Sequence, residues 1–207
     1  MKRRAFALLL PGALAACAAL PEKPVRPTLY DFGPPSPPGA SAAAGRPALV
    51  LAPVEADGLL ETPALLYRLG YEDPHQVRPY AYARWSASPP QLLFQRLREL
   101  LGRERTVLDD AAAAALVRRG GERPPVLRVE LEEFSQLFDS PSSSRGLLRL
   151  RCTLLEAGAS QRLAQLTFQA ERPAPTADAA GGVRALASAT DGAAQDIALW
   201  LRQHARP

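Results

Sequence analysis

Histidine and cysteine are scarce in this chain, with two of each among 207 residues. His75 falls in a predicted turn and His204 near the chain end. Neither has a Cys or carboxylate at metal-ligand spacing, so the sequence makes no case for a metal. A serine or cysteine nucleophile needs a base beside it, and no such arrangement is visible. No glycine pattern fits a phosphate-binding loop. Two carboxylate pairs occur, and neither reads as acid–base machinery. Asp109-Asp110 precedes an alanine run and reads as a helix N-cap, while Glu132-Glu133 lies on a strand that sends neighbouring side chains to opposite faces. Cys152 alternates with leucines and reads as an inert buried thiol. These absences argue against an enzyme and against a bound cofactor.

A surplus of positive charge is also missing once the N-terminus is set apart. The whole chain has 25 Lys and Arg against 21 Asp and Glu, a formal net charge of +4. Lys2, Arg3 and Arg4 supply three of those basic groups, and no acidic residue lies before Glu22, so the rest of the chain is nearly neutral. Nucleic-acid binding requires a clustered basic face and finds no support. After the first residues no apolar run approaches the roughly 20 residues of a membrane span.

The N-terminus itself is distinctive. Three basic residues are followed by the apolar run Ala5–Leu10, an interruption at Pro11-Gly12, and then Ala13-Leu14-Ala15-Ala16-Cys17. A charged start, a short apolar core and small residues before a cut site mark a removable export signal over residues 1–16. Leu14-Ala15-Ala16-Cys17 resembles the lipobox of bacterial lipoproteins, in which the Cys sulfur carries diacylglycerol through a thioether. The resemblance implies Cys17 as the lipid-attachment residue, with its covalent lipid the only added group. Ala18, which is not Asp, implies a periplasm-facing outer-membrane address. Several acyl chains at about 0.8 kcal/mol per buried CH2 give stable anchoring without a transmembrane helix.

Residues 17–47 read as a lipidated, Pro/Ala-rich tether, since proline and glycine at this density favour extended, solvated chain. Within it, Leu29-Tyr30-Asp31-Phe32 carries two aromatics and either continues the tether or adds a short edge strand over 28–32. The folded domain spans 48–204 and opens with the apolar run Ala48–Val54, which fits a strand buried on both faces. The stretches 67–69 and 78–84 pair as a hairpin, with Glu72-Asp73-Pro74-His75 in its turn. A helix over about 89–101 has Ser88 as N-cap, Pro89 at its first position and Gly102 as C-cap. A short strand at 106–108 and a helical turn or two over 111–117 follow. Three strands at 126–134, 147–155 and 162–171 alternate apolar and polar residues, with turn-like links at 139–144 and 158–160, and so predict an antiparallel meander. Arg128, Glu130 and Glu132 share a face with Arg149 and Arg151 and predict cross-strand ion pairs. A loop at 173–181 precedes a C-terminal helix over about 182–204, with Leu186, Thr190, Ala193, Ile197 and Trp200 on one stripe. The expected fold is α+β: an antiparallel or mixed sheet with two main helices on one face, behind a Pro-rich tether.

Four of the five tyrosines and one of the two tryptophans fall between Tyr67 and Trp85. Tyr, Trp and Arg are enriched at protein interfaces, so Tyr67, Arg68, Tyr80, Tyr82, Arg84 and Trp85 are candidate partner-binding residues. For Trp85, core and interface are equally good readings. The series Leu66-Tyr67-Arg68, Tyr80-Ala81-Tyr82-Ala83-Arg84-Trp85, Pro89-Pro90 and Leu92-Leu93 resembles the ABC-type transport auxiliary lipoprotein component family, over most of residues 28–203. The resemblance is specific in the 66–101 block and looser after it. The Pro/Ala insertion at 35–46 and the Ala111–Ala115 run are departures from its pattern. It implies a non-enzymatic accessory lipoprotein working beside an ABC permease and ATPase and a substrate-binding protein of the mammalian-cell-entry type, in a system that moves lipids or other apolar compounds. The alternative reading is a structural or assembly lipoprotein of the outer membrane, serving lipopolysaccharide or membrane-protein assembly. A periplasmic enzyme is a third, poorly supported by the sparse polar groups.

Overall fold

A computed structural model describes residues 25–34, 46–156 and 161–204. The elements run in the order β1 (Thr28–Tyr30), β2 (Leu49–Leu51), β3 (Glu55–Ala56), a 3-10 turn (Gly58–Glu61), β4 (Ala64–Leu69), β5 (Asp73–Trp85), α1 (Pro89–Gly102), β6 (Val107–Leu108), α2 (Asp110–Arg118), β7 (Val126–Ser140), β8 (Ser143–Leu155), β9 (Arg162–Pro173) and α3 (Ala179–His204). The class is α+β with a mixed sheet, as the sequence predicts.

The sheet is organised around β7. Along one edge, β2, β3 and β4 pair with it in succession and all in parallel, at Val50–Val126, Glu55–Glu130 and Tyr67–Gln136. Its other edge carries the predicted meander, with β8 antiparallel to β7 and β9 antiparallel to β8. β5 returns antiparallel to β4, and β1 adds in parallel to β5 as an edge strand, with Tyr30 opposite Trp85. On its far side β2 pairs in parallel with β6. Of the two readings of 28–32, continued tether or short edge strand, the structure shows the strand, over Thr28–Tyr30.

The alternating apolar residues of β7, β8 and β9 build the core. Leu127, Val129, Leu131, Leu148, Leu150, Cys152 and Leu154 are all buried under α1 and α3. Helix α1 forms where Ser88 and Pro89 start it, and its Leu92, Leu93, Leu97 and Leu101 face inward. The predicted stripe of α3 is buried from Leu186 to Trp200. The two helices run parallel, since Arg96 bridges Asp191 (Nε to Oδ1 2.7 Å) and, further along, Glu104 meets Arg202. β2 is buried on both faces as expected. Leu49 and Leu51 join the main core, and Val50, also buried, shares a groove with Ala113 and Ala114 of α2. Asp109 caps α2, accepting from the Ala112 amide at 2.8 Å.

Several boundaries differ from the sequence reading, each for a physical reason. The turn of the β4–β5 hairpin lies at residues 70–72, and Asp73, Pro74 and His75 begin β5; an edge position tolerates the missing proline N–H. Gly102 is the last residue of α1 and Arg103 caps it, because the chain continues in right-handed helical geometry there. β7 runs on to Ser140, and its link to β8 is the two-residue connection Pro141-Ser142, so four of the six residues of the predicted loop are strand. α3 begins at Ala179, with Asp178 accepting from the Gly181 amide at 2.7 Å. Glu132 and Glu133 do not go to opposite faces. A register shift between Leu131 and Glu133 lets Leu131 and Phe134 both point into the core, and both glutamates reach arginines outside it.

Candidate interaction surface

The six candidate residues sit on the β4–β5 hairpin, which does not pair regularly. Between the pairs Ala64–Arg84 and Leu66–Pro79 the two strands fall out of step, and the extra residues bulge from β5. The bulge separates the tyrosines. Tyr80 turns inward, while Tyr82 is 65 % exposed.

Tyr80 and Tyr67 are half-buried and stacked, with ring centroids 4.6 Å apart, and Tyr67 meets Phe138 edge-on. The Tyr80 hydroxyl donates to Gln136 Oε1 at 2.9 Å. Gln136 is fully buried, and its Nε2 donates to Ser144 Oγ at 2.7 Å and to the Asp178 carbonyl at 3.1 Å. Burial raises the Tyr80 hydroxyl above the ordinary tyrosine range, and Tyr67 and Asp178 add to the shift. This network ties β5, β7, β8 and the start of α3 together. Gly182 is part of it, because a Cβ there would lie 2.1 Å from Gln136 Oε1. Arg68 reaches Glu133 on β7 at 3.1 Å and donates to the Pro74 carbonyl at 3.3 Å, bracing the hairpin.

Trp85 belongs to the core. It is 1 % exposed, packed between Phe32 and Phe134 with centroids 5.5 and 5.4 Å away. Of its two readings, the structure selects packing. Of the six candidates only Tyr82 and Arg84 are exposed, beside Leu29, which stands opposite Arg84 on β1 and is 63 % exposed. Cys17 lies outside the described residues.

Part of the remaining surface is internally matched. On the outer face of the meander Arg149 meets Glu132 at 2.9 Å, and Arg151 meets Glu130 at 3.3 Å and also Glu132. These are the cross-strand pairs expected from the alternation. Arg128 pairs with Glu55 at 2.9 Å, a partner the sequence did not indicate. A groove of about 550 Å³ runs between α2 and the sheet over Val50, Ala113, Val126 and Leu155, with Asp110, Arg123 and Arg128 also lining it. Among the described residues no group of His, Cys, Asp and Glu is placed to hold a metal, and no helix is long and apolar enough to cross a membrane. Cys152 is fully buried, and burial pushes its thiol up to about 12.

Sequence reasoning missed Gln136, a polar residue on a strand with no local sign of burial. It also missed Arg105, 2 % exposed at the end of α1 and near Arg46, Glu104 and Arg202. Burial lowers the Arg105 guanidinium from its ordinary range.

The family model for the ABC-type transport auxiliary lipoprotein component matches residues 30–198. Among solved structures, a protein from Xanthomonas campestris is similar at 18 % identity with a TM-score of 0.66, covering 84 % of this chain and 94 % of that one. An uncharacterized protein is similar at 16 % identity and a TM-score of 0.64, over 85 % of this chain and 99 % of its own. A hypothetical protein from Chlamydia trachomatis reaches a TM-score of 0.52 at 9 % identity, over 78 % of this chain and 98 % of its own. These likenesses concern the fold. No curated protein matches the sequence.

Proposed function

Because the chain belongs to the ABC-type transport auxiliary lipoprotein component family, we propose that it is a lipid-anchored accessory subunit of an envelope system that moves lipids or apolar compounds. The family is an auxiliary component of ABC-type transport and not an enzyme family. In this reading the acylated Cys17 holds the domain at the periplasmic face of the outer membrane. The domain works by contact with a mammalian-cell-entry-type protein served by a permease and an ATPase, which supply the energy.

The observation that carries the reading is the family match over 30–198 in a chain whose Leu14-Ala15-Ala16-Cys17 has the lipobox pattern. The matched face of the meander supports it, since charges already paired with one another leave little chemistry to apply to a substrate. The protein contact must extend beyond the six hairpin residues. A stable interface buries about 800 Å² per partner over some 20–30 residues, and only Tyr82 and Arg84 of the six are exposed.

The test is a pull-down from crosslinked cells with the full chain and with Cys17→Ser. Recovery of an entry-type protein with the wild type, reduced in the variant, is the expected result. Recovery of an outer-membrane barrel or a lipopolysaccharide assembly component in its place would replace this reading with an assembly role.

A further inference from the structure

We infer that the β1–β5 edge of the domain rests on the bilayer that holds Cys17, with Leu29 and Tyr82 at headgroup level and Arg26 and Arg84 directed to lipid phosphates. The inference rests on the reading of Cys17 as the lipid-attachment residue, and it names the surface that reading leaves open.

The first argument is covalent reach. A tether running from Cys17 to residue 47 would span up to about 100 Å at roughly 3.4 Å per residue. The chain joins the domain much earlier, because β1 is already in the sheet at Thr28. Eight residue steps separate Cys17 from Val25, at most about 28 Å by covalent length. The side of the domain that carries β1 is therefore the side nearest the membrane. β9 forms the opposite edge of the sheet.

The second argument is chemical. Val25 and Leu29 are 67 % and 63 % exposed, and Tyr82 is 65 % exposed. Tyrosine is favoured at the membrane–water interface, where its ring and hydroxyl meet different surroundings. Arg84 stands across from Leu29, and Arg26 lies two residues before β1. Among the described residues neither arginine has an ion pair, whereas Arg149 and Arg151 on the outer face of the meander are paired; Arg162 and Arg172 on β9 are also without an ion pair, so the covalent reach is what selects the β1–β5 edge. Basic groups near an anionic leaflet are attracted to its phosphates. Apolar, aromatic and unpaired cationic side chains together suit a lipid surface. The patch is also too small to serve alone as a stable protein interface.

The test places a polarity-sensitive fluorophore on Leu29→Cys, Tyr82→Cys and, as control, Gln169→Cys on exposed β9. Cys152 is fully buried and Cys17 is acylated, so the introduced thiol is the reactive one. The full, acylated chain is reconstituted in vesicles of phosphatidylethanolamine and phosphatidylglycerol. Nitroxide-bearing lipid should quench the probes at 29 and 82 several-fold more than the probe at 169, and aqueous iodide should show the reverse order. Arg26→Glu with Arg84→Glu should weaken the lipid quenching. Mass spectrometry reports acylation separately. Acylated protein whose three probes respond alike overturns the proposal and leaves the anchor standing. Absence of acyl chains on Cys17 overturns both. Shielding at 29 and 82 that appears only when an entry-type protein is added makes the edge a protein interface, which also overturns it.

Discussion

Phe32 stands edge-on to Trp85, with ring centroids 5.5 Å apart and planes at 75°. Thirty-odd residues of Pro-rich chain thus contain an aromatic wedge that closes the core beside β5. Phe32→Ala should lower unfolding stability by about 2 kcal/mol, less than for a fully buried phenylalanine because Phe32 is partly exposed. Urea unfolding followed by tryptophan fluorescence measures it. An unchanged midpoint would return this segment to the tether.

Gln136 is the hub beneath the tyrosines. Gln136→Leu leaves the Tyr80 hydroxyl and Ser144 without their partner and should cost about 2–3 kcal/mol, whereas Tyr80→Phe should cost about 1–2 kcal/mol. The double variant should cost less than the sum of the two, since both remove the same bond. Denaturant melts of the three proteins decide it; strict additivity would mean that the bond contributes nothing.

Glu104 accepts from Arg202 and meets Arg46, and the Arg202 hydrogen bond foremost holds its carboxyl below the ordinary range despite partial burial. A carboxylate whose pKa is lower folded than unfolded stabilises the fold above its unfolded pKa and loses that contribution as pH falls through its folded pKa. Glu104→Gln should therefore be less stable than wild type near pH 7, and the gap should close in acid. Thermal melts from pH 7 down to pH 2 read this, and a gap constant with pH would rule it out.

Cys152 should not react with an aromatic disulfide reagent at pH 8 in the native protein, because its thiol is fully buried and its pKa is pushed up to about 12. Reaction should follow unfolding in urea, with a rate that tracks the unfolded population. Prompt labelling without denaturant would place Cys152 outside the core.

What the sequence made legible is what is local. The alternation of β8 and β9, the Ser88-Pro89 start of α1, the Asp109 cap and the stripe of α3 each depend on residues within one or two turns. What it concealed depends on pairing across the chain. Gln136 is buried because Tyr80, 56 residues upstream, and Asp178, 42 residues downstream, come to meet it. Glu132 and Glu133 share a face because β7 slips against β8, a register no single strand encodes. The tyrosines of the hairpin read as one aromatic block, and the β5 bulge divides them into packing and exposed members. The sequence leaves Trp85 open between core and interface because the residue that covers it, Phe32, lies in a segment with the composition of a linker.

The line of β2, β3 and β4 along one edge of β7 also fixes an order of assembly. β3 and β4 have no parallel partner until residues 126–140 are available, and a contact such as Arg68 to Glu133 closes a loop of 65 residues. Sheets dominated by such distant pairings fold slowly. A chain made N-terminus first thus delivers its early strands long before the one that receives them. In that interval β3 and β4 await the strand that completes their pairing.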